Sequence, residues 1–179
     1  MAPEKQFDFC VSGNGMIGSV TALALAQRGY SVAWIAPETL EPFSINDEPD
    51  IRMSAIAQGS VNLLKQVGVW QSIISMRAKS YSSLRVWETD GVETAFASAE
   101  INTPQLGYFV ENRLIQLACA QHAENDNNIQ VFKTNLASVN SNGDGVDIQL
   151  ENKACIHAQW IIGAEGAQSQ VRKLSLIHI

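Results

Sequence analysis

The chain has 179 residues, a size that suits one domain or one domain with part of another. Hydrophobic residues make up 46% and charged residues 17%, a balance that supports a packed core and argues against disorder. The formal net charge of −6 argues against a nucleic-acid partner, since binding a phosphate backbone calls for a basic patch.

The first predicted unit is the most informative. An apolar run, Phe7-Asp8-Phe9-Cys10-Val11-Ser12, feeds into Gly13-Asn14-Gly15-Met16-Ile17-Gly18. A small-residue helix pattern follows from Ser19 to Arg28, Gly29 closes it, and Ser31 to Ala36 reads as a second strand. This is a β–turn–α–β unit with the Gly-x-Gly-x-x-Gly spacing of a pyrophosphate site. Gly13 permits the tight turn, Gly15 lets the backbone approach the phosphates, and Gly18 lets helix and strand pack closely. Free N–H groups at the helix start then face the anion. The expectation is a bound dinucleotide.

Pro37 to Pro49 reads as a surface loop. Asp50-Ile51-Arg52-Met53-Ser54-Ala55-Ile56 leads into a helix over Gly59 to Val67, with Ser60 as its cap, Val61, Leu64 and Val67 on one face, and Gly68 at its end. A further helical turn begins at Val69-Trp70. The period then changes. Ser83 to Glu88 and Val92 to Phe96 alternate about Thr89-Asp90-Gly91, which predicts a hairpin opening an inserted, mostly antiparallel lobe. Gly107 to Val110 is a short strand. Glu111-Asn112-Arg113 opens a helix that buries Leu114, Leu117 and Ala118 and ends in His122. Ile129 to Phe132 reads as a parallel strand returning to the first sheet. Three antiparallel strands follow, over Leu136–Asn140, Val146–Leu150 and Ala154–Ile162. A second strand-to-glycine-to-helix junction closes the pattern, Ile161-Ile162-Gly163-Ala164-Glu165-Gly166-Ala167-Gln168-Ser169-Gln170-Val171-Arg172, with Ser169 placed to cap the helix. Two such junctions suggest a cofactor touched at both ends.

Cys10, Cys119 and Cys155 are widely spaced and lie in apolar runs, so buried free thiols and a reducing, cytoplasmic compartment are expected. His122, His157 and His178 show no metal-ligand spacing, and no metal is expected. Trp34, Trp70, Trp87 and Trp160 are read as packing residues. Glu93, Glu100 and Glu111 are read as solvated. No apolar run approaches the ~20 residues that span a bilayer, and Met1 to Gln6 lacks the apolar stretch of a signal peptide.

Four segments together resemble the flavin-dependent aromatic hydroxylases, and within them the ubiquinone-biosynthesis hydroxylases. They are the glycine fingerprint from Gly13 to Gly18; Asp50 to Ile56, similar to D-x-R-x-S-A-[IL]; Gly107 to Arg113, similar to G-Y-[IV]-V-E-N-R; and Gly163 to Arg172, similar to G-A-D-G-x-x-S-x-V-R. The resemblance covers about residues 7 to 174. It implies an α/β fold: a Rossmann-like FAD-binding sheet with a three-stranded antiparallel meander and part of an inserted β-rich substrate lobe. Residues 1–79 and 107–174 would form the FAD-binding part and 80–106 the start of the lobe. The family's later G-D-A-A-H-x-x-x-P motif is absent, so the C-terminal half is expected to be missing and the chain inactive by itself, exposing apolar surface that favours self-association. Residues 175–179 depart from the family pattern and are set apart as a tail of non-native character.

The activity that the resemblance implies is that of an FAD monooxygenase. NAD(P)H reduces the flavin, O2 is activated, and one oxygen atom passes to a prenylated phenol or benzoquinol ring. The apolar substrate tail implies a membrane surface, or other ubiquinone-biosynthesis proteins, as partners, with the protein cytoplasmic and peripheral to the inner membrane. Gly13, Gly15 and Gly18 would hold the FAD pyrophosphate and Arg52 would approach its phosphates. One of Asn112 and Arg113 would contact FAD, the motif not deciding which. Glu165 and Gly166 would lie near the phosphates or ribose, with Glu165 in place of the family's Asp. An acid for the adenosine ribose normally stands ~20 residues past the glycines, where this chain has Ala36; Pro37 fixes its own φ and aims Glu38 back toward the crevice, making Glu38 the acid expected there. No catalytic residue is identified. The glycine fingerprint alone also fits an NAD-dependent dehydrogenase, and the shortened family pattern also fits a noncatalytic scaffold module.

Overall fold

The computed structural model describes residues 5–89 and 91–174. The chain opens with strand β1 (Lys5–Ser12), helix α1 (Met16–Ala26) and strand β2 (Val32–Ile35). Next come β3 (Met53–Ala57), α2 (Gln58–Gln66), α3 (Trp70–Met76) and β4 (Ala78–Tyr81), and then the hairpin strands β5 (Ser83–Trp87) and β6 (Glu93–Ala97). A 3-10 turn over Ser98–Ile101 leads to β7 (Gly107–Glu111) and α4 (Asn112–Ala123). The last elements are β8 (Ile129–Phe132), β9 (Leu136–Asn142), β10 (Gly145–Leu150), β11 (Cys155–Gly163), a 3-10 turn over Gly166–Gln168, and α5 (Gln170–Leu174).

The described residues divide into two compact units. The first unit, residues up to 42 and from 119 on, holds a six-stranded sheet in the order β8-β2-β1-β11-β10-β9. β8, β2, β1 and β11 run parallel, and β11, β10 and β9 form an antiparallel meander. The α/β class, the returning strand at Ile129 and the meander are therefore as the sequence predicts. What alternation could not show is the partner of β11: it lies parallel beside β1, with Ser12 opposite Gly163. β1 thus leads to β2 on one side and meets β11 on the other, which is the point where doubly wound sheets bind ligands. The core is aliphatic and small, centred on Cys10, Ala33, Ile35, Ile148, Leu150, Ile156 and Ala158. Asp8 ties β1 to the start of β2: its Oδ2 accepts from the Ser31 N–H and from Ser31 Oγ, both at 2.7 Å, and these bonds hold the Asp8 carboxyl below the usual carboxylate range.

The second unit spans residues 43–118, so the division falls within α4. Its main sheet has the order β3-β7-β4, all pairs antiparallel. This pairing runs across the boundaries at 79/80 and 106/107 drawn from the sequence. β3 and β4 are additions to the sequence reading; each is short and half-exposed, with too little apolar alternation to stand out. β3 runs directly into α2, so the helix begins at Gln58 with Ala57 before it, and Ser60 lies in the first turn instead of capping it. Val61, Leu64 and Val67 are buried as expected, as are Leu114, Leu117 and Ala118 of α4. The hairpin β5–β6 forms at its predicted place; Asp90 of its turn lies outside the described residues, as do residues 175–179 with His178.

Three readings are corrected. Glu111 is buried, at 1% exposure, because β7 ends against the network described below. Trp87 and Trp160 are 71% and 64% exposed, whereas Trp34 and Trp70 are packed; Trp87 sits at the end of a two-stranded sheet that has no third strand to cover it among the described residues. Cys155 is exposed because the strand alternation turns its neighbour Ile156 inward.

The cysteines give a direct check. Burial pushes the Cys10 and Cys119 thiols up to about 12, Cys10 with a further contribution from the Glu165 charge. Thiolates are the reacting species, so an aromatic disulfide reagent at pH 8 should modify Cys155 alone in the folded chain. Cys10 and Cys119 should react only after denaturant is added, as counted by absorbance and located by peptide mass. Rapid labelling of Cys10 in the folded chain would contradict this packing.

Candidate functional site

The site is assembled where β1 ends. Gly13 takes φ +115°, a backbone conformation closed to most side chains, and an added Cβ would lie 2.5 Å from the Ala164 carbonyl oxygen. Its N–H donates to the Ile35 carbonyl at 3.0 Å, and its own carbonyl accepts from the Trp34 indole Nε1 at 3.0 Å. On the other side, the Ala164 N–H donates to the Ser12 carbonyl at 2.8 Å. The first glycine turn is thus held from β2 and from the second glycine turn at once.

Gly18 and Gly15 differ in what they face. A Cβ on Gly18 would stand 2.1 Å from the Gly13 oxygen, so this position is closed by the protein itself. A Cβ on Gly15 would meet no protein atom within 4 Å. Gly15 is the residue before α1, with no side chain to cap the helix and no acid in its first turn. Its carbonyl is fixed by both the N–H and the hydroxyl of Ser19, at 3.0 and 2.9 Å. The first-turn N–H groups therefore face open cleft.

That cleft has a volume of about 580 Å³, within the range of small-molecule sites. Ser12, Gly13, Asn14, Gly15, Met16, Ile17, Pro37, Glu38, Asn135, Ala164, Glu165, Gly166 and Gln170 line it. No lysine or arginine is among these described residues, so a phosphate bound here would be held by backbone N–H groups and the helix dipole. Ala36, at the end of β2, is buried, whereas Glu38 is exposed on the cleft wall. Asn14 Nδ2 donates to the Glu38 carbonyl at 3.2 Å and fixes the segment that carries that acid.

Glu165 lines the same cleft, but its carboxylate is engaged by the protein. Oε1 accepts from Ser12 Oγ at 2.9 Å; Oε2 accepts from Ser169 Oγ at 2.7 Å and from the Val171 N–H at 3.0 Å. Ser169 Oγ in turn accepts from the Arg172 N–H at 3.2 Å, the predicted cap. Glu165 thus joins the end of β1 to the start of α5. Gly166 has φ +76° and leaves its Cβ side open.

Gly13, Gly15, Glu38, Glu165 and Gly166 therefore come together around one cleft, with Gly18 behind the first turn. Arg52, Asn112 and Arg113 come together in the second unit. β3 pairs with β7 so that Met53 is opposite Glu111, and the Asn112 N–H donates to the Arg52 carbonyl at 3.0 Å. Ser54 Oγ donates to Asn112 Oδ1 at 2.6 Å, and Arg113 Nη2 lies 3.4 Å from Asp47 Oδ2. Ser12, Asn14 and Trp34 hold the walls of this cleft through bonds that sequence reasoning missed. Their roles depend on which backbone group each side chain reaches, and motif spacing leaves that open.

A family model described as FAD binding domain matches residues 6–178. The chain belongs to that family. It is 36% identical over 173 residues to 3-demethoxyubiquinol 3-hydroxylase of Escherichia coli (strain K12), a match that covers 96% of this chain and 44% of that protein. It is 31% identical over 180 residues to ubiquinone hydroxylase UbiL of Rhodospirillum rubrum, covering 98% and 41% respectively. The chain thus spans less than half the length of these relatives. Among solved structures it superimposes on PqsL, a probable FAD-dependent monooxygenase from Pseudomonas aeruginosa, with a TM-score of 0.76 at 16% identity, covering 98% of this chain and 47% of that one. p-Nitrophenol 4-monooxygenase PnpA from Pseudomonas putida gives a TM-score of 0.76 at 19% identity, covering 96% and 44%. At such identities the superpositions show a shared fold.

The residues present fit an FAD domain. The cradle at Gly15 is one a Cβ would fill, the donors around it are backbone N–H groups, and an acid stands along the wall. The two glycines separate fold from binding. Gly15→Ala should leave the melting temperature nearly unchanged and weaken FAD about tenfold or more, since the methyl enters the cradle. Gly18→Ala should cost ~1–3 kcal/mol of stability by overpacking, each kcal/mol lowering the melting temperature by roughly 2–4 °C in a chain of this size. Thermal melts and flavin titrations of both variants check this; a Gly15→Ala chain that binds FAD as the parent does would contradict the assignment of the cradle.

Proposed function

We propose that the protein is an FAD-dependent monooxygenase that hydroxylates a polyprenyl phenol or benzoquinol ring in ubiquinone biosynthesis, with NAD(P)H as electron donor and O2 as oxidant. The observation that carries the proposal is the cation-free cleft between two glycine turns at the junction of β1 and β11. Similarity to the E. coli and R. rubrum ubiquinone hydroxylases supports the substrate class.

When bound, FAD supplies the redox chemistry that links the nicotinamide donor to O2. The chain's own residues bind and orient it. Gly13 and Gly18 set the turn, Gly15 and the N–H groups after it receive the pyrophosphate, and Gly166 lines the second turn. Glu38 is the proposed acceptor for an adenosine ribose hydroxyl. Arg52 is the proposed phosphate contact of the second unit, with Asn112 or Arg113 beside it in the same motif pair. Glu165 acts by holding the two glycine turns in register.

A polyprenyl substrate resides in a bilayer, so we place the protein in the cytoplasm at the inner-membrane surface. Among the described residues no helix is long and apolar enough to cross a membrane.

The cofactor choice is testable by fluorescence titration of this chain with FAD, FMN and NAD. FAD should bind most tightly, and tighter binding of NAD would replace this reading with a dehydrogenase. A hydrogen bond to a charged acceptor is worth ~1.5–3 kcal/mol, so Glu38→Gln should weaken FAD by about tenfold or more. Asn14→Ala, which frees the Glu38 carbonyl, should act in the same direction to a smaller extent. An unchanged affinity in Glu38→Gln would show that backbone or water holds the ribose.

A further inference from the structure

Glu111 is the one buried carboxylate among the described residues of the second unit. Its Oε1 accepts from Arg77 Nη1 at 2.9 Å and its Oε2 accepts from the Asp50 N–H at 3.0 Å. The same arginine donates through Nη2 to the Asp47 carbonyl at 2.7 Å and lies 5.3 Å over the Phe43 ring. The loop from Phe43 to Asp50 is therefore fastened at three points to this pair.

The fastening ends at Arg52. Its N–H donates to Asp50 Oδ1 at 2.9 Å, and its carbonyl accepts from the Asn112 N–H at 3.0 Å, so its backbone is held on both sides. Its side chain is exposed and, among the described residues, has no hydrogen-bond or ion-pair partner. A held backbone with an exposed guanidinium suits an anion contact: the backbone is ordered before the ligand arrives, and only the side chain has still to be fixed. A buried ion pair is weak evidence for stability by itself, since apolar residues of similar volume often do as well.

We propose that Glu111 is a positioning residue for Arg52, its buried carboxylate fixing the loop backbone so that Arg52 presents its guanidinium to an anionic ligand. This rests on the reading of Arg52 as a contact to the FAD phosphates. Arg77 is the counter-charge against which Glu111 packs, and Asp50 relays the constraint over two residues.

A double-mutant cycle decides it. Dissociation constants for FAD are measured by flavin fluorescence on the full chain for the parent, Glu111→Gln, Arg52→Ala and the double variant, with melting temperatures alongside. Glutamine keeps the volume but must turn its NH2 toward either the Asp50 N–H or Arg77, so one of the two bonds is lost. Glu111→Gln should weaken FAD about tenfold in the parent and less than about twofold once Arg52 is alanine. Equal losses in both backgrounds would overturn the proposal and leave Glu111 a purely structural group. An Arg52→Ala chain with parental FAD affinity would overturn the assignment of Arg52 and this inference with it. If Glu111→Gln fails to fold, Asp50→Ala replaces it, removing the acceptor for the Arg52 N–H on a partly exposed loop. The same non-additivity with Arg52→Ala is expected, and additive losses would again overturn the proposal.

Discussion

The carbonyl group of Gly13 is the point on which the first unit depends. It receives the Trp34 indole N–H, and it occupies the space where any side chain at Gly18 would begin. It also belongs to a residue whose positive φ and close approach to Ala164 exclude a Cβ. Moving this oxygen would loosen the turn, the start of α1 and the contact with the second glycine turn together.

The parallel pairing of β1 with β11 converts two local turns into one site. Ser12 opposite Gly163 brings both strand ends level, and Glu165 secures them through Ser12, Ser169 and Val171. The Glu165 carboxylate thus has a structural use here, reaching two hydroxyls and one backbone N–H. An acid lining an anion site is otherwise unfavourable; these donors disperse its charge. The second unit repeats the device with different parts. Glu111, buried against Arg77, holds the loop that carries Arg52, as Glu165 holds the turn that carries Gly166.

Much of this was legible in the sequence, and the reasons differ by element. The β1–α1–β2 unit is a local pattern of apolar runs and glycines, so its existence, the tight turn at Gly13 and the close packing at Gly18 could be read directly. The meander and the hairpin follow from period-two alternation with turn residues between. β3 and β4 escaped because they are short and half-exposed, and their stability comes from pairing with β7, a partner distant in sequence. Glu111 was misread for a related cause: a charge in a helix-opening motif looks solvated until its partner, Arg77, is brought to it by the β4–β7 pairing. Asn14 stands at a position where the glycine pattern accepts any residue, so its bond to the Glu38 carbonyl left no mark in the spacing.

The central claim is that backbone N–H groups of the two glycine turns, and no side-chain cation of the first unit, receive the pyrophosphate of the cofactor. Amide chemical shifts of the ¹⁵N-labelled chain, followed through an FAD titration, test it most directly. The account predicts that the largest movements fall on Gly13, Asn14, Gly15, Met16 and Ile17, with a second group at Glu165 and Gly166. Saturable binding with those amides unmoved, and with the largest shifts instead on the meander around Ser138, Asn140 and Gln149, would contradict it.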